Sequence, residues 1–148
     1  MRPWFALMLF ACGAPSVPDA GPSDSCLNSA GVDAWSNGLA RTSSSGKVKV
    51  TLQSGDPTPP ARGNNSWTVT LTDGAGNAIP NAQPVAVPYM PLHGHGSSVT
   101  PDMTATGGPD YTVAPLYFFM PGIWQVTLSA RPDAGPADQV QFEFCISG

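Results

Sequence analysis

Seven stretches of this chain alternate apolar and polar residues with a period of two, and each is bounded by Gly, Pro, Asn or Asp. They cover residues 47–53 (Val48, Val50 and Leu52 on one face), 66–72 (Trp67, Val69, Leu71), 84–90 (Val85, Val87, Tyr89), about 98–104, 111–119, 123–130 (Trp124, Val126, Leu128) and 138–146 (Val140, Phe142, Phe144, Ile146). Side chains alternate between the two faces of a strand, so this period predicts strands with one apolar face each. Asp73-Gly74-Ala75-Gly76-Asn77, Thr106-Gly107-Gly108-Pro109 and Pro121-Gly122 supply the turns. Seven short strands at this spacing predict an all-β, immunoglobulin-like antiparallel β-sandwich. Residues 27–46, which include Trp35, show no period and are read only as a lead-in.

Strand parity adds a geometric expectation. Successive antiparallel strands run in opposite directions, so alternate connections fall at the same end. Connections 54–65, 91–97 and 120–122 are expected at one end, and 73–83, 105–110 and 131–137 at the other.

Composition narrows the function classes. Gly and Pro supply 33 of the 148 residues, about twice their usual share, which argues against helices because Pro breaks helix interiors and Gly weakens them. With 41% hydrophobic residues the chain is too apolar for a disordered segment and long enough to bury a core. Six basic against ten acidic residues give a net charge of -4, so no basic surface exists to neutralise a phosphate backbone, and nucleic acid is not an expected partner.

The N-terminus reads as an address. Arg2 precedes the apolar run Trp4 to Ala11, and eight residues are too few to span a bilayer, which needs about 20. Leu9-Phe10-Ala11-Cys12 resembles a bacterial lipoprotein signal, which implies that residues 1–11 are removed and Cys12 becomes a lipidated N-terminus. Residues 12–25 then form a flexible Pro/Gly/Ser stalk, and 26–148 the domain. Gly13 stands where inner-membrane retention would resemble Asp, so the expected site is the cell envelope, on the periplasmic face of the outer membrane. Once Cys12 is assigned to lipid, Cys26 and Cys145 remain, and in an oxidising compartment they are expected to form a disulfide; the alternative is two free buried thiols.

The candidate chemistry lies in Tyr89-Met90-Pro91-Leu92-His93-Gly94-His95-Gly96. The two histidines of the chain are two residues apart, and the glycines let the backbone fold until both imidazoles face one point. A second aromatic-Met-Pro occurs at Phe119-Met120-Pro121, and parity puts Met120 at the same end as Met90, His93 and His95. Thioether plus imidazole suits a copper ion, with thioether favouring Cu(I). Against this stands a plainer possibility, in which Met90 and Met120 fill the rim of the core and the histidines lie on a surface loop.

The Met-Pro-x-His-Gly-His-Gly run, Gly107 to Tyr111 ahead of a strand, and Phe119-Met120-Pro121-Gly122-x-Trp124 together resemble a YtkA-like domain, a bacterial family related to FixH-type proteins, over roughly residues 47–146. The resemblance implies an exported or membrane-anchored immunoglobulin-like sandwich with a link to copper handling. A copper-transfer or envelope protein partner is expected with it, and the lipoprotein-like signal separately gives a membrane contact through the lipid on Cys12. No nucleophile elbow, phosphate-cradling glycine loop or paired carboxylates suggest catalysis, so the expected role is binding and not an enzyme. The other function left open is a metal-free envelope sandwich that makes protein contacts.

Overall fold

The computed structural model describes Cys26, residues 30–132 and residues 135–148. Among these residues every regular element is a strand: β1 (Ala40–Thr42), β2 (Lys49–Asp56), β3 (Gly63–Thr72), β4 (Val85–Met90), β5 (His95–Gly96), β6 (Asp102–Gly107), β7 (Asp110–Phe118), β8 (Gly122–Ala130) and β9 (Asp138–Ile146). All seven predicted strands are present, although the one expected over about 98–104 runs instead over Asp102–Gly107. β1 and β5 are added, each too short to show a period. One antiparallel sheet has the order β1-β2-β3-β7-β6 and the other β5-β4-β8-β9. Setting β1 aside, this is the strand order of an immunoglobulin-like sandwich.

The core forms where the inner faces meet. Val48, Val50 and Leu52, then Trp67, Val69 and Leu71, are buried on one sheet, and Trp124, Val126 and Leu128 with Phe142, Phe144 and Ile146 on the other. The strand predicted over 84–90 departs from this pattern. Its apolar Val85, Val87 and Tyr89 face out, at 49, 50 and 38% exposure, while Ala86, Pro88 and Met90 face the core. The register with β8 decides the matter. Directly paired residues share a face, so Ala86 opposite Leu128 and Pro88 opposite Val126 turn inward, and Val87 opposite Thr127 and Tyr89 opposite Gln125 turn outward. Asn65 is a polar residue among the buried positions of β3. It donates to the carbonyls of Ala61 and Gly63 and accepts from the Ala61 N–H, so it ties the preceding loop to the sheet.

Trp35, in the lead-in, closes one end of the sandwich. Its ring lies 5.3 Å from Trp67 and 5.5 Å from Phe144. A register shift between Leu52 and Ser54 brings Gly55 opposite Trp67, and a Cβ on Gly55 would stand 2.8 Å from the Trp35 ring. Glycine there makes room for the indole. The lead-in is held to β9 by the Asp33 N–H donating to the Glu143 carbonyl at 2.7 Å, and the Glu143 N–H donating back to the Asp33 carboxylate at 2.9 Å. The Cys26–Cys145 disulfide lies next to it, with Cα atoms 5.7 Å apart.

Candidate functional site at the His-Met end

After β4 the chain makes one helical turn, with the N–H groups of His93 and Gly94 both donating to the Met90 carbonyl, at 3.2 and 3.0 Å. Gly94 then takes φ +69°, a left-handed conformation that suits glycine, and the chain returns as β5 with His95 directly opposite Met90. Opposed residues in an antiparallel pair have Cβ atoms about 4.5–5.5 Å apart and share a face. Met90 and His95 are therefore neighbours on the core side, at the rim.

Local packing fixes the second imidazole of the pair. His93 is exposed and His95 half-buried, and their ring centroids are 5.6 Å apart. A ring whose nitrogen binds a metal at about 2.0–2.1 Å has its centroid about 3 Å from the ion, so two rings at this separation can reach one ion. His95 stacks on Phe119 at 5.4 Å and meets Trp124 edge-on at 6.3 Å. Its Nδ1 lies 3.2 Å from the Gly96 carbonyl; a carbonyl only accepts, so this contact puts the proton on Nδ1 and leaves the Nε2 lone pair for a ligand.

The two methionines differ. Met90 is 1% exposed and belongs to the core, whereas Met120 is half-buried against it. Met120 is positioned by its carbonyl, which accepts from the Trp124 indole N–H at 3.0 Å. The strand end that carries Phe119 and Met120 is further tied by Arg62, whose Nε–H donates to the Phe119 carbonyl at 3.0 Å. The expected end-sharing of 91–97 and 120–122 is thus seen directly in the contact between His95 and Phe119. Among the described residues no three His, Cys, Asp or Glu side chains group as a metal site.

Residues that the sequence reading did not assign to the site are the aromatic ones that frame it, Phe119 and Trp124. Their signal lay in the Phe119-Met120-Pro121-Gly122-x-Trp124 motif itself. Cys12, the expected lipidation site, lies outside the described residues, as do 1–11 and the stalk up to 25. A groove of about 740 Å³ runs between β1 and β9 at the sheet edge opposite β5. Its charged groups are already engaged, Arg41 with Asp33 and Asp138 with the Ser45 hydroxyl, so it offers little for a ligand to recognise.

The fold is that of a small antiparallel immunoglobulin-like sandwich, with two imidazoles and an aromatic frame at one end. The YtkA-like family profile matches residues 42–129, more than half the chain, and the chain belongs to that family. No curated protein and no protein of known structure matches it.

Proposed function

We propose that this chain is a lipid-anchored binding domain of the cell envelope that holds Cu(I) at its His-Met end, without a catalytic role. The single observation that carries the reading is the 5.6 Å approach of the His93 and His95 rings beside Met90. In it His93 and His95 supply nitrogen, Met90 supplies sulfur from the core side, and Met120 supplies a second sulfur from the adjoining strand end. Two imidazoles and one or two thioethers make a three- or four-coordinate set of the softness that Cu(I) prefers. Phe119 and Trp124 wall one side, while exposed His93 leaves an open side through which the ion can exchange. Cys12 carries the lipid in this reading, and Cys26–Cys145 marks an oxidising compartment.

The test is an anaerobic Cu(I) titration of the mature chain against a competing chelator, for the parent and for a His93→Ala, His95→Ala double variant. The reading expects the double variant to lose at least about tenfold in affinity, about 1.4 kcal/mol. Equal affinities would remove the copper assignment and leave the metal-free sandwich that contacts a protein, which the 1% exposure of Met90 would then favour.

A further inference from the structure

We propose that the outer face of β4, together with Leu92, is a membrane-contact surface that lays the His-Met end of the domain against the bilayer to which its own N-terminus is tethered. The proposal rests on the lipid-anchor part of the reading above and is independent of its copper part.

Four apolar side chains carry it. Val85, Val87 and Tyr89 line the outside of β4, and Leu92, at 70% exposure, stands at the tip of the loop that follows. β4 and the strands on either side of it carry no Asp, Glu, Lys or Arg, and Glu143 on β9, two strands from Tyr89, has its carboxylate accepting from the Gln125 side-chain amide. Between Asp73 and Arg131 the only Asp, Glu, Lys or Arg residues are Asp102 and Asp110, which begin β6 and β7 in the other sheet. The neighbouring outward positions of β8 are Ile123, Gln125, Thr127 and Ser129. A surface of this kind loses little by leaving water, and a Tyr beside aliphatic side chains suits the boundary between headgroups and acyl chains.

The entry point of the chain identifies the bilayer as the occupant. Cys26 is bonded to Cys145, which pairs with Ile123 at the start of β8, and β8 adjoins β4. The tether therefore joins the domain at the His-Met end, two strand spacings or about 10 Å from β4. Fourteen residue steps separate Cys12 from Cys26, so the domain stays within about 50 Å of the lipid, where even a weak surface acts at high effective concentration.

Two other occupants fit less well. The Pro88 carbonyl accepts the Ser97 N–H, so Pro88 faces away from β8, and Pro84 shares its parity. Pro88 in β4 and Pro84 just before it thus lack the N–H that an added strand from a partner would need, and Ala86 is left as a lone donor between them, too little for a ladder. The four side chains together expose on the order of 350 Å², less than half of the roughly 800 Å² that each partner buries in a standard protein interface. A second copy would find too little to hold.

The experiment uses the mature chain, lipidated on Cys12, in phosphatidylcholine vesicles. Leu92→Trp and, at the opposite end, Ala75→Trp are compared with the parent when part of the lipid is brominated. The added emission at position 92 should fall about twofold or more, as for a side chain inserted at the acyl boundary, and that at position 75 should not change. No quenching at position 92, or equal quenching at both, overturns the proposal. Emission that follows protein concentration and ignores brominated lipid assigns the face to a second copy and overturns it as well, and so does a Cys12 whose mass shows no lipid. Cu(I) affinity measured on the same vesicles separates the two readings: quenching without copper binding ends the copper assignment and leaves the membrane surface standing.

Discussion

The two ends of the sandwich are built by different chemistry. At the end that carries the His pair, closure comes from aromatic rings, sulfur and imidazole: Trp35 over Trp67 and Phe144, His95 on Phe119, and the disulfide beside them. At the opposite end carboxylates organise the turns. Asp73 accepts the N–H groups of Ala75 and Asn77 and the Asn77 side-chain amide, and Asp138 accepts from the Ser45 hydroxyl in the β1–β2 connection. One end thus depends mainly on covalent and apolar contacts, with Asp33 as its ionised tie to Arg41 and to the Glu143 N–H, and the other on turn carboxylates, so reduction or metal should act chiefly on the first and acid chiefly on the second.

The largest effect should come from the disulfide. It links residues 119 apart, and the chain-entropy argument gives a loop of that size about 4–5 kcal/mol of stabilisation. A Cys26→Ser, Cys145→Ser variant should show a urea midpoint lowered accordingly, with Trp35 released from its place over Gly55. An unchanged midpoint would mean that the aromatic contacts alone close this end.

Met90 separates structure from ligand at the same end. Met90→Ala opens a cavity in the core and should cost about 2–5 kcal/mol. Met90→Leu keeps the volume and should cost less than about 1.5 kcal/mol, yet it removes the thioether opposite His95. If Met90→Leu leaves Cu(I) affinity intact, the side chain is only a core filler and Met120 supplies the sulfur.

At the other end the sharpest steric constraint is Gly74. A Cβ there would fall 2.1 Å from the Gly46 carbonyl oxygen, so Gly74→Ala forces the β1–β2 connection away. A loss of about 1–3 kcal/mol is expected, the usual range for a substitution that shifts a packed turn. Cu(I) affinity should be unaffected, because the His pair lies at the far end. A variant that lost both would show the two ends to be coupled.

The sequence carried the architecture well and the site in part. Strands with bulky inward residues, such as Trp67-Val69-Leu71 and Phe142-Phe144-Ile146, state their period plainly. β4 does not, because its apolar residues stand on both faces and only the pairing with β8 decides which are buried. No local pattern contains that register. The pairing of Met90 with His95 was hidden for the same reason, since it requires a two-residue strand that forms only once Gly94 has turned the chain. Trp35 was silent too. Its partners, Gly55, Trp67 and Phe144, are distant in sequence and meet only when the sheets close.

The smallest expected effect concerns acid. Hydrogen bonds from the Asn77 side chain, then from backbone N–H groups of the turn, hold the Asp73 carboxyl below the ordinary aspartate value of 3.8. The hydroxyls of Ser43 and Ser45, with Lys47 nearby, do the same for Asp138. A carboxyl with a depressed folded-state pKa contributes stability above its unfolded value and loses it as pH falls through the folded one. Both groups are only partly buried and keep contact with solvent, so their contribution is small. The carboxylate end should therefore be the one that loosens below about pH 4. In an Asp73→Asn, Asp138→Asn variant the midpoint at neutral pH should fall slightly, while the acid limb flattens until variant and parent converge at low pH. Equal slopes through the acid range would show that the turn hydrogen bonds survive protonation, and the electrostatic side of the contrast between the ends would then be wrong.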